Sequence, residues 1–443
     1  MPYPSESDNA VLILISYLLI LILKATDIVS WCLDAGAHSC GIVRAEPVSD
    51  ADWALFTAWR DAGRHATMAY MERNDEVRRD PRLLIEGPVA PDGTRTGLAN
   101  TLIVCIFAYD STPSDTTALI ADYACREDYH RSLRRALAPV CTRITDVYGG
   151  QTRICVDSAP LRERYWAVRA GLGHTGRNGQ LTVPGLGAHF LIATIAWTGT
   201  VCLAGPTATA AAANPTANPT ACSGFPSQQS GQQTACSGFP SQQSGQHTAC
   251  SGFPSQQSGQ QGAAAALCGT CRRCVEACPQ HALDGTGSVD ARRCLSFLTI
   301  ESRNPLPEGT RLAGQLFGCD ICRKVCPHSH PANTVADTNP NTTAATNPNT
   351  TADTHPNTTA DTHPNKTADT HHNTTADTHH NTVAAISPLF PRRADIAALT
   401  PADICALPTN QLKKLLADTP LTRTPIPRLR TLASLLGTNK ALE

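Results

Sequence analysis

The chain has 443 residues, 41% of them hydrophobic, enough for about two or three domains with cores of their own. Its formal net charge is −1, so global charge does not draw it to nucleic acid, and a polyanionic partner would have to meet a local basic patch. Nineteen cysteines, an odd count with no sign of an oxidising compartment, point to a reducing cytoplasm rather than a disulfide framework.

Residues 11–23 are strongly apolar but fall short of the roughly 20 residues that span a bilayer as a helix. No Lys or Arg precedes them, so they lack the positive start of a secretory signal. They read as an atypical N-terminal extension or a membrane-associating segment. From Lys24 the pattern becomes mixed helix and strand. A helix is predicted up to Gly36, followed by the short strand CGIVRA and an amphipathic helix from Asp50 to Asp61. Residues 68–88 are charge-dense, either a solvated helical face or a binding loop. Residues 100–109 read as a buried strand, and EDYHRSLRRAL as a helix opening at Asp128, Tyr129 and His130.

Residues 153–157 form another predicted strand, with Asp157 at its carboxyl end. An acid there faces the crevice in which open α/β sheets bind ligands, or it caps a helix starting near Pro160. That helix ends at Gly171. GLGHTGRNG follows, with glycines that allow close approach to phosphates or a cofactor, though it does not fit G-x-G-x-x-G. LTVPGLGAHFLIATIAW reads as a hairpin of buried strands.

Two low-complexity arrays interrupt the chain. Residues 221–261 hold three near-identical copies at period 14, and residues 333–380 six copies at period 8. Both are polar and cannot bury a core, so they read as inserted disordered loops. Residues 411–443 carry six cations against two acids, a patch that could meet phosphates.

Between the arrays lie eight cysteines in a specific order. Cys268, Cys271, Cys274 and Cys278 form C-x2-C-x2-C-x3-C-P, and Cys294 precedes Cys319, Cys322 and Cys326 in C-x2-C-x3-C-P. This is the two-cluster ferredoxin pattern, in which the cysteine before proline ligates the other cluster. Cys268, Cys271, Cys274 and Cys326 are therefore expected to hold one [4Fe-4S] cluster, and Cys278, Cys294, Cys319 and Cys322 the second. Structural zinc, which usually takes two separated pairs of thiolates, fits the tight triplet poorly.

Several motifs together resemble the epoxyqueuosine reductase family: MAYMERNDEVRRDPRLL, YACREDYH, VDSAPLRERYWAVRAGLGHTGRNG, CGTCRRCVEACPQHAL, ARRCLSFLTIE, FGCDICRKVCP and the basic DTPLTRTPIPRLR. The resemblance covers about residues 24–200, 263–331 and 384–436. It implies an α+β fold: a nitroreductase/reductive-dehalogenase-like α/β domain that binds cobalamin, a two-[4Fe-4S] ferredoxin-like domain, and a short C-terminal helical segment. The expected division is 1–23 apolar extension, 24–202 cobalamin-binding domain, 203–262 repeat insertion, 263–331 two-cluster domain, 332–383 repeat insertion and 384–443 basic helical segment.

Carried over position by position, the resemblance makes Asp157 the catalytic acid, touching the cofactor. Arg78, Leu181, Ile192, Ser296, Asp320 and Ile321 match cofactor contacts. The implied reaction is reduction of epoxyqueuosine to queuosine in the tRNA anticodon loop, the last step of queuosine biosynthesis. The implied partners are tRNA bearing epoxyqueuosine and an external electron donor, with the protein a cytoplasmic monomer and no stable membrane partner. A cobalamin-dependent reductive dehalogenase and a non-enzymatic iron–sulfur electron carrier are the alternatives.

Overall fold

The computed structural model describes residues 24–87, 95–110, 119–201, 268–329 and 389–439. The apolar run at 11–23 and both repeat arrays lie outside the described residues. Among the described residues, no helix is long and apolar enough to cross a membrane.

The first part of the chain folds as helices on a sheet. Helix α1 covers residues 24–34 and stops before Gly36, whose φ of 95° is open to glycine without strain. Strand β1 (Ser39–Arg44) leads to α2 (Asp50–Asp61), capped by Ser49, which accepts from the Asp52 N–H. After α3 (Asp75–Arg79) and β2 (Thr101–Ala108) comes α4 (Tyr129–Tyr148). Asp128 caps α4 by accepting from the His130 N–H. Then follow β3 (Thr152–Cys155), α5 (Glu163–Arg169), β4 (His174–Thr175), β5 (Leu181–Thr182) and β6 (Phe190–Trp197).

The main sheet runs β1-β2-β6-β3 with every neighbour antiparallel. Successive side chains of a strand face opposite sides, and β2 exploits this fully: all eight of its residues are buried. Ile103, Cys105 and Phe107 join one apolar cluster with Ile28 of α1 and Leu133, Leu137 and Ile144 of α4. Leu102, Val104, Ile106 and Ala108 join another with Leu84, with Trp166 and Ala167 of α5, and with Ala170 just after it. The sheet is thus the middle layer of three, and a buried side chain of this size contributes about 1.5–3 kcal/mol.

Three sequence expectations change here. Because the sheet is antiparallel, the crevice rule for parallel sheets does not place Asp157. Nor does Asp157 cap the next helix: α5 starts at Glu163, not near Pro160, and Arg162 precedes it without a side-chain cap. Finally, LTVPGLGAHFLIATIAW is not one hairpin. β5 pairs with β4, β6 enters the main sheet, and only an isolated Val183–Gly187 bridge links the flanks of the turn.

The cysteine-rich part contains the short helices α6 (Arg273–Glu276), α7 (Leu295–Ile300) and α8 (Ile321–Lys324). The C-terminal part adds α9 (Ala394–Ala397), α10 (Pro401–Ala406), α11 (Thr409–Leu416) and α12 (Ile426–Asn439). Leu295, Leu298 and Phe317 share a third apolar cluster with Ile404, Leu412, Leu416, Leu429 and Leu432. The C-terminal helices therefore use the cysteine-rich part as their core partner.

A buried charge network joins the parts. Asp122 is fully buried and pairs with Lys324 at 3.3 Å and Arg392 at 3.2 Å, while its N–H donates to Asp320 at 2.8 Å. Removing one partner of such a network is costly because the opposite charges stay buried. Asp122→Ala is expected to destabilise the protein by about 3–5 kcal/mol. Chemical unfolding measures this, and an unchanged midpoint would show that the network contributes nothing.

Candidate functional site

The two cysteine sets separate in space. Cys268, Cys271, Cys274 and Cys326 line one pocket together with Arg177, Asn178 and Pro327. The Arg177 N–H points at the Cys268 Sγ, 3.4 Å away. Arg177 also donates to the carbonyls of Gly269 and Gly285, and Asn178 to that of Cys322. The glycine loop at 171–179, a candidate phosphate cradle from sequence, thus packs on the cysteine segment instead.

Cys278, Cys294, Cys319 and Cys322 form the second neighbourhood. Burial pushes the Cys319 thiol up to about 12, and the nearby Cys294 and Cys278 act in the same direction. Backbone N–H groups serve these sulfurs: that of Ala282 reaches Cys278 at 3.3 Å, and those of Ser296 and Phe297 reach Cys294. Among the described residues neither set brings three sulfurs within the reach of a single ion. Four thiols spread around one pocket, with N–H donors aimed at sulfur, fit a multi-iron cube better than zinc. Cys294→Ala should remove about half of the bound iron, as measured by iron and sulfide analysis.

The other chemistry gathers at Asp157, just past β3. Its Oδ2 accepts from the Tyr129 hydroxyl at 2.9 Å, His130 Nε2 at 3.2 Å and Arg423 Nη1 at 3.3 Å. Its backbone sits in the left-handed region at φ 51°, and its N–H donates to Glu163 Oε1 at 2.6 Å. His130 bonds on its other side to Asp128 at 2.7 Å, and its ring stacks on Tyr129 at 4.1 Å. Arg423 spans to Glu301 at 2.7 Å, directly after α7. The N-terminus of α4 supplies the two rings, and the C-terminal segment supplies the arginine.

These side chains sit in a recess. Asp157 is 46% exposed and Arg164 is exposed, yet burial is the largest influence on the pKa of each. Groups that meet solvent and still lose hydration line a concave wall. For Asp157, burial raises the pKa, but the hydrogen bond from His130, the charge of Arg423 and the Tyr129 hydroxyl outweigh it and hold the carboxyl at about 2. Burial opposes the charge of His130 too, but its bonds to Asp128 and Asp157 lift it to about 9. Burial, then the Asp157 charge, pushes Glu163 up to about 8. At neutral pH the protons of the site therefore reside on His130 and Glu163, and Asp157 is ionised.

The remaining sequence candidates fall in different settings. Ile192 is half-buried, and so are Phe190 and Leu191, although β6 is an interior strand. Ser296 and Ile321 are half-buried at the starts of α7 and α8. Asp320 is buried, and its carboxylate accepts from the Asp122 N–H and from Arg323. Leu181 is 2% exposed within the second apolar cluster. Arg78 is buried and donates to the carbonyls of Tyr70, Met71 and Arg73 and to the Asp75 carboxylate, so it shapes the 70–75 loop. Sequence reasoning assigned no role to Tyr129, His130, Glu163, Glu301 or Arg423. The Asp-Tyr-His run at a helix start and the basic C-terminal stretch were visible, but nothing local linked them to Asp157.

The His130 pKa is raised above the unfolded value near 6.5, so its contribution to stability is full below that pH and is lost as pH rises through about 9. The Asp157 pKa is depressed, so its contribution is present above 3.8 and is lost as pH falls toward about 2. Asp157→Asn should lower the His130 pKa, read by histidine-selective NMR titration. Identical titrations in both proteins would show that the pair does not interact.

The 4Fe-4S double cluster binding domain family model matches residues 267–329, and the epoxyqueuosine reductase QueG, DUF1730 model matches residues 96–158. The epoxyqueuosine reductase of Synechococcus sp. (strain CC9605) is 31% identical over 305 residues, covering 67% of this chain and 73% of that protein. That of Cyclobacterium marinum is 28% identical over 302 residues, covering 66% of this chain and 74% of that protein. A crystal structure of epoxyqueuosine reductase with an epoxyqueuosine-modified tRNA-Tyr stem loop superposes with a TM-score of 0.58 at 18% identity, covering 94% of this chain and 81% of that one. With a relative at this identity spanned over most of its length, the chain belongs to the epoxyqueuosine reductase family, a family of oxidoreductases.

Proposed function

We propose that this chain reduces epoxyqueuosine to queuosine in the anticodon loop of tRNA, the last step of queuosine biosynthesis. The observation that carries the mechanism is the Asp157 carboxylate, held in a recess by Tyr129, His130 and Arg423 beside the segment that carries the eight cysteines. Overall, the epoxide takes up two electrons and two protons and becomes an alkene with loss of one water.

In this reading Cys268, Cys271, Cys274 and Cys326 ligate one [4Fe-4S] cluster, and Cys278, Cys294, Cys319 and Cys322 the other. The recess takes cobalamin, which is consistent with the open apolar start of β6. Phe190 and Ile192, on one face of that strand, offer half-buried surface to a flat ring. Ser296 and Ile321, beside cluster ligands, and the buried Leu181, Asp320 and Arg78 are the further cofactor-binding positions of this reading. Cobalamin bound there supplies the reducing electrons to the substrate. Such a domain would be nitroreductase/reductive-dehalogenase-like over 24–202, with the two-cluster part at 263–331 and the C-terminal segment at 384–443 completing the site. The reading also includes a cytoplasmic monomer fed by an external donor.

The residues of the chain handle the protons. His130 holds one at Nε2, hydrogen-bonded to Asp157 Oδ2. As the epoxide oxygen departs, Asp157 passes it a proton and takes the His130 proton in the same step, so Asp157 acts as the general acid without being protonated beforehand. Asp128 stabilises the imidazolium before transfer and sets the ring's orientation. Arg423 holds the carboxylate in place and links it to Glu301. The base reaches the recess splayed out of the loop, as single-stranded RNA permits.

Purified protein carrying both clusters and cobalamin should convert epoxyqueuosine tRNA, measured by mass spectrometry of the nucleosides. Asp157→Asn should keep its iron content and its tRNA affinity while losing about 10²–10⁴-fold in turnover. Native turnover by the variant would remove Asp157 from the mechanism. Absence of conversion by the loaded wild type would overturn the reading.

A further inference from the structure

The first apolar cluster contains thiols that the proposed reaction does not use. Cys32 on α1, Cys40 on β1 and Cys105 on β2 place their sulfurs within 4.8 Å of one another. All three are fully buried. The arrangement follows from the fold: Cys40 and Cys105 lie directly opposite in the antiparallel ladder, so they share a face, and α1 lies over that face with Cys32 inward. The Cys105 and Cys40 sulfurs are 3.8 Å apart.

We propose that Cys32, Cys40 and Cys105 form a three-sulfur site for one soft monovalent metal ion of the copper(I) class. Sulfur ligands select soft ions. A metal–sulfur bond of about 2.3 Å puts the three sulfurs of a trigonal site roughly 4 Å apart, close to the observed spacing. Charge favours a monovalent ion. An apolar core resists net charge, so one thiolate with one monovalent cation is the neutral combination. A divalent ion such as zinc would need a second thiolate and prefers a fourth ligand. One thiol gives up its proton when the ion binds, which keeps the site neutral. The other two sulfurs complete the plane. The ion would brace α1 against the sheet and add stability by mass action.

The test uses full-length protein with both iron–sulfur clusters loaded, so that the eight cluster cysteines are occupied. One equivalent of copper(I) is supplied anaerobically from a competing chelator, followed by gel filtration and metal analysis. The expected result is about one copper per chain with iron unchanged, a raised melting temperature, and a three-sulfur shell near 2.3 Å by X-ray absorption. Cys32→Ala should lose at least about tenfold in copper affinity together with the thermal shift, since it removes one sulfur ligand of three. Cys105→Ala serves the same purpose if the first variant folds poorly, with iron content and circular dichroism as the folding control. Failure to retain copper while the clusters stay intact, a shell without three sulfurs, or undiminished copper in a folded variant would each overturn the site. The three cysteines would then be ordinary small core residues.

Discussion

A carboxylate in a recess must be matched by donors, or it takes up a proton. Asp157 is matched by three, and they come from distant parts of the chain: Tyr129 and His130 at the start of α4, and Arg423 near the C-terminus. Arg423 also grips Glu301, which follows the helix that begins beside Cys294. One guanidinium therefore connects the acid to the cysteine-bearing segment. The backbone adds its own constraint. A non-glycine residue at φ 51° is strained by on the order of 1–3 kcal/mol. The Glu163 carboxyl offsets part of this by accepting the Asp157 N–H. Much of the site's geometry exists to hold this one residue.

The surrounding fold serves the same end. The antiparallel sheet is covered on both faces by helices, so α4 and α5 lie on opposite sides of it. β3 delivers the chain to Asp157 between them. α4 brings Tyr129 and His130 from one side, and α5 begins with Glu163 on the other. The C-terminal helices are the third support. They share an apolar cluster with the cysteine-rich part, and the Asp122 network ties that part to the sheet domain. Four segments distant in sequence meet around one carboxylate.

The glycine loop shows how a local pattern misleads. Its glycines suggested room for phosphate. In the structure they let the chain pass close to its neighbours: a Cβ on Gly179 would lie 2.7 Å from the carbonyl oxygen of Gly287 in the cysteine-rich part. Arg177 and Asn178 then reach across to the cysteine segment. The glycines are there for close packing between two parts of the protein.

The sequence by itself determined the cysteine order, and with it the iron–sulfur character, because ligand spacing along the chain is a local property. It also determined most helices and strands, since periodicity and caps such as Asp128 and Gly36 act over a few residues. It marked Asp157 by its place at the end of a strand and gave it a catalytic role only through resemblance, with its surroundings unknown. The tertiary structure alone decided that the sheet is antiparallel, that Asp157 is ionised beside a charged His130, and that Arg423 closes the site from the far end of the chain. It also brought Cys32, Cys40 and Cys105 together. Each of these depends on contacts between residues tens to hundreds of positions apart, and on burial that shifts charge, neither of which any local stretch encodes.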